Sequence, residues 1–214
     1  MALSGESAVR LVLKPVVLLG CLAPLAWLAA GAAGMPGFSL GANPVEEILH
    51  TLGKWGLNFL MVTLCITPLR QLTHWPQWMR LRRMLGLAAF FYLLAHFLFY
   101  VLVDQGLDVR VVVEDVAKRP YITLGLLGIL LLLPLALTST QGAMRQLGRR
   151  WQRLHRLVYP AAILGCTHYY WQVKADVREP LVYFALLAVL LGWRWWKHRD
   201  RLSRAVPAAF ERAR

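Results

Sequence analysis

Two histidines, His96 and His168, stand inside long uncharged apolar runs at nearly equal distances from where those runs begin. His96 follows Met84 by 12 residues and His168 follows Leu157 by 11, so helices rising 1.5 Å per residue carry both imidazoles roughly 17–18 Å inward. An ionisable ring at hydrocarbon depth is costly to place and is therefore a functional candidate. Two of them at one depth, on helices running the same way, suit a flat cofactor clamped between the rings. Neutral imidazole nitrogens are axial ligands that haem iron accepts, and helix bundles hold such groups in their interior. Zinc asks for more donors, and no third nitrogen, sulfur or oxygen is evident at that depth. The spacing alone leaves three readings open: haem ligation, a structural hydrogen bond to a nearby carbonyl, and a proton relay.

A second pair lies one level nearer the start of the same runs. Arg82 precedes Met84 by two residues and His155 precedes Leu157 by two. Arg82 and His96 are 14 residues apart, about 40° from one face at 100° per residue, which favours one continuous site. His155 and His168 are 13 apart, about 140° off-face in an ideal helix, so a kink at Pro160 is expected to rotate one into line. The plain alternative for Arg82 is a topology charge. His74 and His198 fall in basic segments and His50 at a helix start, where interfacial roles suffice.

Other chemistry is sparse. Cys21, Cys65 and Cys166 are isolated in apolar runs, with no C-x-x-C for zinc or redox exchange and no C-x-x-C-H for covalent haem. Gly37-Phe38-Ser39-Leu40-Gly41 matches G-x-S-x-G but sits in a short loop between two apolar runs, where no nucleophile elbow forms. No phosphate-binding loop or dinucleotide fingerprint follows a plausible strand, so the chain brings no nicotinamide domain of its own.

The elements that must position these residues follow from composition. The 214 residues are 58% hydrophobic and only 16% charged, which excludes an ordinary water-soluble domain. A net charge of +13 would suggest nucleic acid in a soluble chain, but here the charges lie between apolar runs. A bilayer core about 30 Å thick needs roughly 20 apolar residues as a helix. Six runs qualify: Val16 to Ala33, Leu49 to Leu69, Met84 to Val103, Pro120 to Met144, Leu157 to Val173 and Pro180 to Trp196. The first resembles a secretory signal in having Arg10 and Lys14 before it and AAGAAG at its end. Its 18 uncharged residues exceed the usual signal core, so it is taken as an anchor.

With six spans both termini share one side. That side carries eighteen Lys and Arg residues against six on the other, while eight of the eleven acids lie opposite. The positive-inside bias therefore puts both termini in the cytoplasm, and the basic balance is a topology signal with no nucleic-acid partner behind it. Asn43-Pro44-Val45-Glu46 reads as an N-cap, a first-turn proline and an acidic third position opening the second helix. The stretch from Leu107 to Lys118, mixing Val-Val-Val with Asp, Glu and Arg, is expected on the outer surface.

Several stretches resemble the haem-binding membrane subunits of the bacterial periplasmic protein-methionine-sulfoxide reductase system. They are LGANPVEEILHTLGKWGL (40–57), TPLRQ (67–71), RLRRMLGL (80–87), RPYITLG (119–125), LALTST (135–140), LGRRWQRLHRLVY (147–159) and HYYW (168–171). Those subunits belong with the ferric-reductase-like transmembrane domains, which usually carry two histidines on each of two helices; here Arg82 stands where one would fall. The resemblance implies an all-α, multi-pass protein of the bacterial inner membrane: a six-helix bundle of ferric-reductase-like type over residues 10–198, between a cytoplasmic N-terminus (1–9) and a basic cytoplasmic tail (199–214). It implies haem b held by His96 and His168, with His155 and Arg82 serving a second, inner haem or FMN, which the family is described as carrying. It also implies electrons arriving from the quinone pool or a cytosolic flavin reductase. They would leave to a periplasmic molybdopterin-containing subunit that reduces methionine sulfoxide in oxidised proteins. The chain is then an electron-transfer subunit of an oxidoreductase complex with no catalytic residue of its own. Two other functions fit the same residues: a solute or proton transporter with a histidine relay, which would purify colourless, and a metal or quinone reductase working without a protein partner.

Overall fold

The computed structural model describes residues 9–173 and 175–211, and every regular element among them is helical. After a π-turn at Val9–Leu13, α1 runs over Lys14–Ala32 and α2 over Pro44–Thr73. The α2 start forms as its sequence predicts: the Asn43 side chain accepts from the Glu46 backbone N–H and Pro44 opens the first turn, where its missing N–H costs nothing. A 3₁₀ turn at Pro76–Trp78 leads into α3, Met79–Phe99, which continues as a π-turn at Tyr100–Asp104.

The segment after α3 is a short amphipathic helix, α4, at Val109–Lys118, capped by the Asp108 side chain. Val109, Val111 and Val113 are exposed on it, while Asp115 turns inward to accept from the Tyr100 hydroxyl (2.8 Å) and pair with Arg119 (3.1 Å).

Helix α5 spans Pro120–Leu137 and ends seven residues before the expected limit at Met144. Three hydroxyl residues explain the stop. Thr138 and Ser139 donate back to the carbonyls of Pro134 and Leu135, each at 2.6 Å, and Thr140 caps the next helix by accepting from the Ala143 N–H. That helix, α6, is Gln141–Leu147; α7 is Arg149–Leu154; a 3₁₀ turn at His155–Leu157 then leads into α8, Val158–Gln172. Helix α9 covers Arg178–Glu211.

Helices α2 and α3 pack as one hairpin and α5 and α8 as another, with α3 against α5 and α2 against α8. This four-helix core is flanked by α1, on α2 and α3, and by α9, on α8 and α2. Leu60, Leu64, Ala89, Ala162 and Cys166 lie at its centre, each no more than 2% exposed. Polar side chains bond the outer helices to it: Tyr92 donates to the Cys21 carbonyl (2.6 Å), Tyr183 to Asn58 (2.7 Å) and Trp193 to Gln71 (2.9 Å).

Four stretches are long and apolar enough to cross a membrane: Leu11–Ala32, Pro44–Thr73, Pro76–Asp104 and Pro120–Leu137. The apolar part of the second is half buried, against 17% for the other three, so α2 is the central helix and its neighbours turn most of their apolar surface outward. Leu19, Leu137, Val182 and Val189 are each about two-thirds exposed, as a surface facing lipid requires. The chain is a multi-pass membrane protein.

Candidate functional site

His96 on α3 and His168 on α8 meet between the two hairpins, near the starts of α2 and α5, their ring centroids 6.2 Å apart and their planes at 78°. Each ring is held by a backbone carbonyl of the other helix in its own hairpin. His96 Nδ1 donates to the Leu49 carbonyl of α2 at 2.9 Å, and His168 Nδ1 donates to the Tyr121 carbonyl of α5 at 2.6 Å. A carbonyl can only accept, so Nδ1 carries the hydrogen on both rings and Nε2 is left with its lone pair for a ligand.

The two Nε2 lone pairs would suit a single metal ion held between the rings. An imidazole nitrogen sits about 2 Å from a first-row metal and the ring centre about 1 Å behind it, which places two such rings roughly 6 Å apart. The helices facing the imidazoles carry glycine at the points of contact. A Cβ added at Gly53 would lie 3.0 Å from His96 Nδ1, and one at Gly125 would lie 2.8 Å from His168 Nδ1. The second distance is too short for a Cβ and the first is tight, so each ring is seated closely against a glycine.

The two half-sites are copies of one pattern. Each imidazole-to-carbonyl bond spans 47 residues of sequence. Leu49, Gly53, Gly56 and His96 recur 72 positions later as Tyr121, Gly125, Gly128 and His168. Thr51-Leu52-Gly53 followed by Gly56 repeats as Thr123-Leu124-Gly125 followed by Gly128, an internal repeat that motif searches aimed at side-chain chemistry pass over.

At the inner level, His155 stacks on Trp151, centroids 3.8 Å apart, and its Nδ1 donates to the Trp151 carbonyl at 3.1 Å. Trp151 in turn donates to the Thr138 carbonyl at the end of α5. His155 Nε2 is buried and finds no partner among the described residues. The Arg82 charge acts on His155. The turn that redirects the chain between His155 and His168 is the 3₁₀ segment His155–Leu157, whereas Pro160 sits in the first turn of α8, where proline is tolerated. By sequence Arg194 is only a charge at the end of the last span. The structure sets it on this level, over the Tyr159 ring at 4.8 Å and donating to the Tyr159 hydroxyl.

His50 and Ser39 lie at the periphery, and Cys21 and Cys166 are buried. His50 accepts from Gln172 at the exposed outer ends of α2 and α8 (2.7 Å), Ser39 is exposed in the loop after α1, and the three cysteines are unpaired.

A family profile described as ferric reductase like transmembrane component matches residues 52–166. The chain is 48% identical over 199 residues to the protein-methionine-sulfoxide reductase heme-binding subunit MsrQ of Xanthomonas oryzae pv. oryzae (strain MAFF 311018), covering 91% of this chain and 88% of the relative. The protein of the same name from Xanthomonas euvesicatoria pv. vesicatoria (strain 85-10) is 51% identical over the same shares. That from Caulobacter vibrioides (strain ATCC 19089 / CIP 103742 / CB 15) is 48% identical over 90% of each chain.

Proposed function

The chain belongs to the ferric reductase like transmembrane family and, within it, to the protein-methionine-sulfoxide reductase heme-binding subunits, and from that membership we propose that it is a membrane electron-transfer subunit built around haem b. The observation that carries the reading is the His96/His168 pair: two imidazoles of one tautomer, 6.2 Å apart, each fixed by a carbonyl and seated against a glycine. A haem bound between them supplies one-electron transfer at a fixed depth in the bundle. The protein's part is positional. The Leu49 and Tyr121 carbonyls keep both Nδ1 atoms protonated and stop the rings from turning, and Gly53 and Gly125 leave the rings room to sit there. A proton relay has less support, because each Nδ1 proton is already committed to a carbonyl.

In this reading the chain crosses the bacterial inner membrane six times over residues 10–198, with both termini cytoplasmic. Helix α8, at 15 residues about 22 Å long, is the short fifth crossing, continued inward by the 3₁₀ turn and α7. The apolar first half of α9 is the sixth. The eighteen-to-six division of basic residues supports this topology. Electrons enter at the cytoplasmic level of Arg82 and His155 from the quinone pool or a cytosolic flavin reductase. FMN or a second haem belongs at that level. The electrons leave at the outer face to a periplasmic molybdopterin-containing methionine-sulfoxide reductase, since the outer connections are too short to build a substrate pocket.

The test is the visible spectrum of the purified protein with His96→Ala and His168→Ala. Each change removes one axial donor and should abolish most of the low-spin haem signal. Wild-type haem content and spectrum in both variants would falsify the assignment.

A further inference from the structure

The cytoplasmic end of the bundle gathers positive charge, and two buried nitrogens of Arg194 have no acceptor among the described residues. Arg194, from α9, lies across the Tyr159 ring of α8 and gives one guanidinium hydrogen to its hydroxyl. Its Nε and Nη2 are buried and have no hydrogen-bond partner among the described residues. Arg82, from α3, lies within electrostatic range of Arg194, of the Tyr159 hydroxyl and of His155, and no carboxylate is among these charged neighbours. A buried donor without an acceptor is destabilising, and two part-buried guanidinium groups near one another more so. Such a set is stable when an anion completes it. The planar fork of arginine matches two oxygens of one phosphate or carboxylate, and the orphaned donors include two nitrogens of that fork.

We propose that Arg194, with Arg82 and Tyr159, forms an oxyanion site at the cytoplasmic end of the bundle that takes the phosphate or carboxylate group of a bound cofactor. The proposal rests on the cofactor-binding reading above and adds to it the residue that holds the anionic group. Tyr159 is a positioning residue: its ring and hydroxyl fix the guanidinium plane so that Nε and Nη2 face the ligand. Arg82 supplies a second charge from the opposite hairpin, and the ligand thereby bridges α3, α8 and α9.

The full chain, reconstituted in phosphatidylcholine nanodiscs, is tested in two arms that separate the sources of the anion. One arm titrates FMN against riboflavin, which lacks the phosphate; the other compares haem b with its dimethyl ester, which lacks the carboxylates. The wild-type protein should prefer the anionic member of one pair by at least tenfold. Arg194→Gln should bring that preference close to one, while the His96/His168 low-spin spectrum is kept as evidence of folding. The pair that responds identifies the group. Tyr159→Phe, which removes only the tether, should reduce the same preference by a smaller factor, and it decides the matter if Arg194→Gln does not fold. Preferences unchanged in these variants would overturn the oxyanion site alone, whereas a wild-type protein that binds no haem would overturn the reading beneath it.

Discussion

A methyl group on Gly125 would lie 2.8 Å from Nδ1 of His168, nearer than a carbon can approach that ring. Gly53 stands in the same relation to His96 at 3.0 Å. Alanine in a helix interior normally gains about 1 kcal/mol over glycine, so the helix itself favours both substitutions. The imidazoles oppose them. Gly125→Ala is therefore expected to leave or raise thermal stability without cofactor while lowering haem content and shifting the low-spin electron paramagnetic resonance signal, and Gly53→Ala should do the same more weakly. Wild-type signals from Gly125→Ala would show that this contact does not set the ring position.

Much of this arrangement is legible in the sequence because the interactions that decide it are local. Uncharged runs fix the helices, Asn43-Pro44 fixes one start, and residue counting puts His96 and His168 at one depth. The misses have physical reasons too. Pro120 to Met144 is apolar throughout, and hydropathy cannot see that Thr138, Ser139 and Thr140 spend their hydroxyls on backbone groups and end α5 early. Pro160 looks like a kink by composition, yet its place in a first turn is decided by where α8 begins. The Leu49 and Tyr121 carbonyls carry no side-chain signature at all. Arg194 is indistinguishable from a positive-inside charge until Tyr159, 35 residues away, is brought under it.

The six-crossing arrangement predicts which engineered cysteines a membrane-impermeant reagent reaches from the periplasm. In a background without Cys21, Cys65 and Cys166, Gln105→Cys and Asp176→Cys, in the connections after α3 and before α9, should label. Residues 34–48 should label likewise. Leu147→Cys, at the end of α6, should label only after the cells are opened. Strong periplasmic labelling at position 147 would invert the hairpin α5/α8 and rule out a common depth for His96 and His168.

In the proposed six-crossing topology the outer face would consist of α4 and two short connections, so the chemistry of methionine sulfoxide should reside on another protein. In membranes lacking that partner, the haem should still be reduced by dithionite but should fail to reoxidise when methionine sulfoxide is added. Restoring the partner should restore reoxidation. Turnover of methionine sulfoxide by this chain alone would refute the division of labour.

Arg82 and His155 lie at the level where electrons enter in the proposed function, and their chemistry separates two roles. A guanidinium stays protonated and binds iron poorly as a neutral ligand, but it pairs well with a phosphate or carboxylate. His155 has its Nδ1 proton committed to the Trp151 carbonyl and its Nε2 free for a ligand among the described residues. Arg82→Ala and His155→Ala should therefore slow reduction of the haem by the cytoplasmic donor, about tenfold or more, as the loss of one charge-assisted bond of roughly 1.5 kcal/mol implies. Neither should change the spectrum of the His96/His168 site. Dithionite, which bypasses the donor, should reduce both variants completely. If Arg82→Ala left the donor-driven rate unchanged, its charge would serve topology alone. If His155→Ala removed about half of the bound haem, the inner level would hold a second haem with His155 as its ligand, and FMN would have to bind elsewhere.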